Sequence, residues 1–323
     1  MLTWSFDGVL LAGAVPLRAY GLLLSTALVA GFLIWRSRML RLGVTEAATG
    51  AFLAWALLAG LLGARLVHAL GYEPARFLAD PVELARLWRG GLASHGALVG
   101  LLLVAGLFAR RHRLSFALVA DPLALGGALA SVLVRLGNFC NSEVVGRTTG
   151  GRWGVRFPHR DAGLPLALVP LRHPVQLYEA ALGAVVLGAL LLLERRRPQP
   201  APGLASALFL FLLFTGRLLL EVFKLPEGLS PSAPLTLGQL LSLPPALAGL
   251  VWLLLLSPQL TRPRSGSTPP RTCSRLRCPT SGARKEDGDG RRTRDHGSAQ
   301  GTPRPDGRRR LGGGPVSPGW PLG

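Results

Sequence analysis

A stretch of 13 residues, Arg135–Arg147, concentrates the reactive chemistry of this chain: it reads RLGNFCNSEVVGR and follows directly on an apolar run, Pro122–Val134. Arg135, Asn138, Asn141, Glu143 and Arg147 all fall within it. If the run is a membrane helix, these groups stand at or inside its end, where polar and charged side chains are costly and usually functional. Arg135 and Asn138 are three apart and share a helical face, and Asn138 and Asn141 repeat the spacing. Gly137 and Gly146 permit close backbone approach. A guanidinium binds phosphate bidentately and amides bind hydroxyls, so this face suits a polar lipid headgroup. A helix end that merely snorkels to the interface needs one charge rather than five polar groups.

Other polar residues stand in or beside apolar segments. Arg18 and Tyr20 open the first, and Arg65 and His68 lie in GARLVHALGY. His95 sits in RGGLASHGALVG, and His173, Gln176, Tyr178 and Glu179 lie in HPVQLYEA. Arg217 and Glu221, in GRLLLEVFK, are four apart and are expected to pair on one face. That couple is either a neutralised structural pair or a device by which Glu221 holds Arg217 toward a phosphate. His95, among glycines, is either a helix-cap residue or, with its near-neutral pKa, a base. His173 precedes Pro174 and so should close a loop before a helix. Nothing beside Cys140 fixes a base that would make it a nucleophile.

The elements that position these groups follow from composition. The chain has 323 residues, 49% hydrophobic and 16% charged, with mean hydropathy +0.36. That balance belongs to a polytopic membrane protein rather than a soluble one. Apolar segments near 17–34, 47–70, 91–109, 115–137, 174–193, 203–221 and 237–256 each approach the roughly 20 residues a bilayer span needs. Arg36, Arg38 and Arg41 follow the first, Arg110, Arg111 and Arg113 the third, and Arg195, Arg196 and Arg197 the fifth. Seven spans put these places on one side, which the positive-inside rule assigns to the cytoplasm, with the N-terminus outside and the C-terminus inside. Tyr20, His68, His95, Arg135, His173 and Arg217 then gather toward the outer leaflet. The outer links carry arginines of their own, among them Arg86, Arg89, Arg152 and Arg156.

The net charge of +19 divides unevenly: residues 257–323 hold 14 basic and 5 acidic residues, against 22 and 12 in residues 1–256. A basic nucleic-acid-binding body is therefore not implied, and residues 257–323, rich in Arg, Gly and Pro, are expected to be a disordered tail after a membrane domain spanning 1–256. Cys140, Cys273 and Cys278 make neither a disulfide framework nor a zinc site, so no metal or cofactor is expected. No basic region precedes the first apolar stretch, so no cleaved signal peptide is expected. The lack of an internal repeat argues against a transporter built from inverted halves.

Taken together, the motifs resemble those of the prolipoprotein diacylglyceryl transferases of bacterial inner membranes. RLGNFCNSEVVGR is similar to the family signature, and RAYGL, GARLVHAL, RGGLASHGALVG, RWGVRFP, HPVQLYEA, GRLLLEVFK and LTLGQLLSLP follow the family's order. The chain departs from the family pattern at His68, at Ala93-Ser94, at Val144-Val145 before Gly146, at Cys140 and at Lys224. The resemblance implies an all-α fold, a bundle of about seven transmembrane helices with a small periplasmic head. It also implies transfer of the sn-1,2-diacylglyceryl group of phosphatidylglycerol to the lipobox cysteine thiol of a prolipoprotein signal peptide, releasing sn-glycerol 1-phosphate. Arg135, Arg217 and His95 carry over as catalytic residues, and Arg135, Tyr20, Asn138, Asn141, Glu143, Gly146, His173 and Glu221 as substrate-binding ones. The departures motivate an alternative, a divergent member that binds or moves phospholipid without catalysis.

Overall fold

The computed structural model describes residues 2–261 apart from 14–15, 72, 152, 198–199 and 226–234. Arg152, in the outer link between the fourth and fifth segments, and residues 262–323 with Cys273 and Cys278 lie outside the described residues. The long helices are α1 (Ala19–Arg41), α2 (Glu46–Gly71), α4 (Ser94–Arg111), α5 (Phe116–Cys140), α6 (Val175–Arg196), α7 (Leu204–Leu220) and α8 (Leu237–Thr261), with a short α3 (Pro74–Ala79) after α2. Each overlaps an expected apolar segment. α1 runs seven residues past the expected 34, because its last two turns bury Trp35 and Met39 despite the arginines between them. α8 likewise continues to Thr261, so the helix overruns the expected start of the tail at residue 257.

Six of these helices are long and apolar enough to cross a membrane, and the protein is a multi-pass membrane protein. Their outer faces carry large exposed apolar side chains such as Leu33, Trp55, Val185 and Leu254, which suits a surface wetted by lipid tails rather than water. The exception is α4, which has 18 residues and ends in Arg110 and Arg111. It nevertheless lies antiparallel along α2. A methyl group added to Gly100 would stand 2.9 Å from Gly60 N, and one added to Gly96 would stand 2.9 Å from Ala64 Cα. Glycines allow that backbone contact, the usual device where no hydrophobic force joins helices in lipid. α1 and α5 meet the same way: a methyl on Gly126 would reach Gly31 Cα at 3.1 Å.

The two ends of the bundle differ. At one end Trp35 of α1 stacks on Phe52 of α2 at 3.8 Å and meets the edge of Phe108 of α4 at 5.1 Å. Arg38 of α1 pairs there with Glu194 of α6. The arginine-rich ends of α1, α4 and α6 therefore share one end, as the charge pattern required. The other end carries a small β head. In it, β1 (Leu2–Thr3) runs parallel to β4 (Val155–Arg156), and β4 pairs antiparallel with β5 (Leu171–Arg172). β2 (Val9–Leu11) and β3 (Leu17–Arg18) form a separate hairpin that leads into α1. Phe139, Val145, Val155 and Phe157 fill the seam between head and bundle.

Candidate active site

α5 does not end before the signature stretch but carries it to Cys140, so Arg135 and Asn138 stand in its last two turns. Arg135 Nη1 donates to Asn138 Oδ1 at 3.2 Å, which is the shared face read from their spacing. Asn138 Nδ2 and Asn141 Nδ2 in turn donate to the two oxygens of Glu143, at 3.1 and 3.2 Å. The turn that follows is held in an uncommon backbone: Ser142 and Val144 have φ of 56° and 52°, a region costly for a β-branched residue. Gln176 Nε2, fully buried, donates to the Glu143 carbonyl at 2.6 Å and fixes that turn to the start of α6.

The centre of the site is a residue outside the expected set, Glu179 of α6. Its side chain is 3% exposed and takes three cations from three places in the chain. Arg135 Nε of α5 lies 2.8 Å from Oε2. Lys224 Nζ lies 3.0 Å from Oε1, and Arg217 Nη1 of α7 lies 3.9 Å from the same oxygen. Arg217 and Glu221 do not pair with each other, contrary to the expectation from their spacing. Glu221 instead takes Lys224 Nζ at 3.1 Å and the Thr236 hydroxyl at 3.1 Å. The reason is tertiary: the helical register holds, with Glu221 N donating to Arg217 O, but Lys224 and Thr236 take the Glu221 carboxylate while Arg217 turns to Glu179. Gly238 of α8 packs on the Glu221 carboxylate, where an added methyl would lie 2.6 Å from Oε2. This accounts for Thr236 and Gly238 in LTLGQ.

Among these directly paired groups, three cations face two carboxylates, leaving one positive charge in excess. Arg217 Nε is buried without a hydrogen-bond partner among the described residues. A guanidinium whose Nε is buried without a partner is costly unless an anion completes it. Two guanidiniums steered by one carboxylate, one with a vacant donor, can take a phosphate between them.

The remaining expected residues frame this cluster unevenly. Tyr20 opens α1 against Gly137, where an added methyl would come 2.9 Å from its ring, and it lies within electrostatic range of Arg135 and Glu143. Gly146 N donates to the His173 carbonyl at 3.0 Å, and a methyl there would strike Val175 Cγ2 at 2.6 Å. Arg147 bonds the backbone on both sides, its N–H to Phe223 O and its Nε to Lys224 O, both at 2.8 Å. The 144–148 strip thereby ties Lys224 to the head. His173 lies in an aromatic box, 4.8 Å from the Trp153 ring and 5.1 Å from the Phe223 ring, with Nδ1 3.3 Å from the Tyr178 hydroxyl. The Asn141 amide packs against Gly8, just before β2, and leaves no room there for a side chain. His95 is exposed in the first turn of α4 and has no hydrogen bond or ion pair to the cluster among the described residues. Those residues also contain no group of three or more His, Cys, Asp or Glu side chains placed to hold a metal.

A family model described as prolipoprotein diacylglyceryl transferase matches residues 8–255. The chain belongs to the prolipoprotein diacylglyceryl transferase family. It is 39% identical over 265 residues to a phosphatidylglycerol–prolipoprotein diacylglyceryl transferase of Tolumonas auensis, covering 81% of this chain and 100% of the relative. It is 39% identical over 256 residues to the protein of that name in Oleidesulfovibrio alaskensis, covering 76% and 92% of the two chains. A Bordetella bronchiseptica relative of the same name is 42% identical over 197 residues, covering 60% and 72%. The family makes this chain a transferase.

Proposed function

We propose that the chain moves the sn-1,2-diacylglyceryl group of phosphatidylglycerol to the thiol of a lipobox cysteine in a prolipoprotein signal peptide. The observation that carries this reading is the convergence of Arg135 and Arg217, from separate helices, on the two oxygens of one buried carboxylate. In the reaction a thiolate attacks the glycerol carbon that bears the phosphate, forming a C–S bond and breaking the C–O bond. The electron pair passes to the departing phosphate oxygen, and sn-glycerol 1-phosphate leaves. Negative charge grows on that phosphate. Two preorganised guanidiniums in a water-poor site stabilise it more than water does.

Glu179 holds both guanidiniums at the required place, and Lys224 and Glu221 fix the far side of Glu179. Tyr20, Asn138, Asn141 and Glu143 surround the glycerol end. Gly146 and His173 shape the wall toward the head. The thiol proton goes to a base, and His95 is our assignment, reached when the signal peptide lies along the start of α4. In this reading the protein sits in a bacterial inner membrane, with the head and N-terminus outside and the C-terminus in the cytoplasm.

The test uses the purified full chain with phosphatidylglycerol and a lipobox peptide. Wild type should add a diacylglyceryl mass to the peptide and release glycerol phosphate in equal amount. Arg135→Ala and Arg217→Ala should abolish both while the protein still inserts and folds. Near-wild-type transfer by Arg135→Ala, or lipid binding by wild type without glycerol phosphate release, would overturn the assignment.

A further inference from the structure

At the arginine-rich end of the bundle, far from Glu179, the structure contains a charged cavity. It encloses about 610 Å³ and is lined by Arg38, Arg41, Asp121, Leu191, Glu194 and Arg195 together with proline and leucine side chains. Glu179 and Glu194 stand on the same helix 15 residues apart, so the two sites are separated by about 22 Å along the bundle axis.

The carboxylates of this cavity are already used. Asp121 caps the start of α7: its Oδ2 accepts from Gly203 N at 2.8 Å, and its Oδ1 accepts from Ser206 N at 2.9 Å and from the Ser206 hydroxyl at 2.8 Å. Glu194 pairs with Arg38. Arg41 and Arg195 are left over. Both line the cavity and are exposed, and neither has an ion pair or hydrogen bond from its side chain among the described residues. They come from α1 and α6, beside an apolar wall at the level where helix ends leave the membrane.

We propose that this cavity binds a phosphate group, with Arg41 and Arg195 as its clamp. A basic pocket between membrane helices is the form that headgroup sites take on anionic phospholipids. Leucine and proline flanking two free guanidiniums match the glycerol and first methylenes of such a lipid better than they match a soluble ion, whose whole surface is polar. The occupant would tie α1 to α6, adding to the Arg38–Glu194 pair at the end remote from the transfer chemistry.

Native mass spectrometry of the delipidated full chain titrated with dioleoyl phosphatidylglycerol tests this directly, with inorganic phosphate as a competitor. Wild type should hold two lipids, and the double variant Arg41→Gln/Arg195→Gln should hold one. Loss of two guanidinium contacts should weaken that second lipid roughly thirtyfold. The charge-matched double variant Arg110→Gln/Arg111→Gln, at the same end on α4, should keep both lipids. Arg135→Ala should lose the other lipid, so failure at one site is read separately from failure at the other. Inorganic phosphate displacing the second lipid at similar concentration would assign the clamp to a soluble phosphate. Equal lipid retention by wild type and Arg41→Gln/Arg195→Gln, with no phosphate competition, would overturn the proposal.

Discussion

Two carboxylates in this protein each gather three cations, and they do so for different ends. Glu83, in the 3-10 turn Pro81–Leu84, takes Arg76 Nη2 at 3.0 Å, Arg86 Nη1 at 2.6 Å and Arg89. Glu179 takes Arg135, Arg217 and Lys224. Both acids are buried. Around Glu83 the arginines come from one short stretch, residues 76–89, and are 31–51% exposed, whereas around Glu179 the cations come from α5, from α7 and from the turn after it and are 10–29% exposed. The first cluster is a loop staple with screened charges. The second is a buried junction with a free guanidinium donor, and the difference in desolvation is what turns the same set of groups from a fastening into a site.

The staple has a partner in Arg65. Its guanidinium bonds the carbonyls of Glu83, Leu84, Arg86, Gly90 and Gly91, five acceptors from one loop. Gly90 and Gly91 turn at φ of 78° and 81° to present them. The loop then returns to α2 through Ala93 N to Ala64 O at 3.0 Å, which sets where α4 and His95 begin. The start of α4, with His95, is thus held by Arg65 and by the Ala93–Ala64 bond rather than by the cations around the Glu83 carboxylate.

The comparison sharpens into unequal effects. Glu179→Gln removes the shared partner of Arg135 and Arg217 and one of the two partners of Lys224, and breaking a buried pair this way costs about 3–5 kcal/mol. It should lower transfer at least about a hundredfold and depress the thermal midpoint in detergent. Glu83→Gln should loosen the loop, read as faster hydrogen exchange over residues 80–91, while transfer stays within about threefold. A large transfer loss in Glu83→Gln, with Glu179→Gln tolerated, would reverse the roles assigned to the two clusters.

A pH series separates the staple from its mutant. Hydrogen bonding from Arg86, helped by the charges of Arg89 and Arg76, holds the Glu83 carboxyl below the ordinary carboxylate range. A depressed folded-state pKa stabilises above the unfolded value and is lost as pH falls through the folded one. Exchange protection of residues 80–91 should therefore be flat from pH 8 to about 5 and fall only below about pH 4. Glu83→Gln should show no such fall. The smallest effect expected is at Val144, whose φ of 52° is strained for a branched side chain. Val144→Gly should raise stability by about 1 kcal/mol in thermal unfolding.

Much of this was legible in the sequence, for a physical reason. Spans are written locally, as runs of apolar residues closed by arginines, and the seven helices lie where those runs fall. The shared face of Arg135 and Asn138 is equally local. Glu179 escaped notice as the hub because its partners are brought together only by packing α5, α6 and α7, and no spacing in one segment encodes that. HPVQLYEA carried the signal, a carboxylate inside an apolar helix start, but a lone acid names no partner. The i,i+4 rule misassigned Glu221 for the same reason: the register holds, but Lys224, Thr236 and Glu179 outcompete the pair for its two side chains. The β head was unreadable because its strands are two or three residues long.

The central claim is that Arg135 and Arg217 act as one unit on one phosphate. The most direct measurement is a double-mutant cycle in kcat/KM for lipobox-peptide transfer with Arg135→Lys, Arg217→Lys and the double variant. Shared action through Glu179 predicts strong non-additivity, the double variant being barely slower than the worse single one. Costs that simply add, each arginine contributing as if the other were absent, would contradict it.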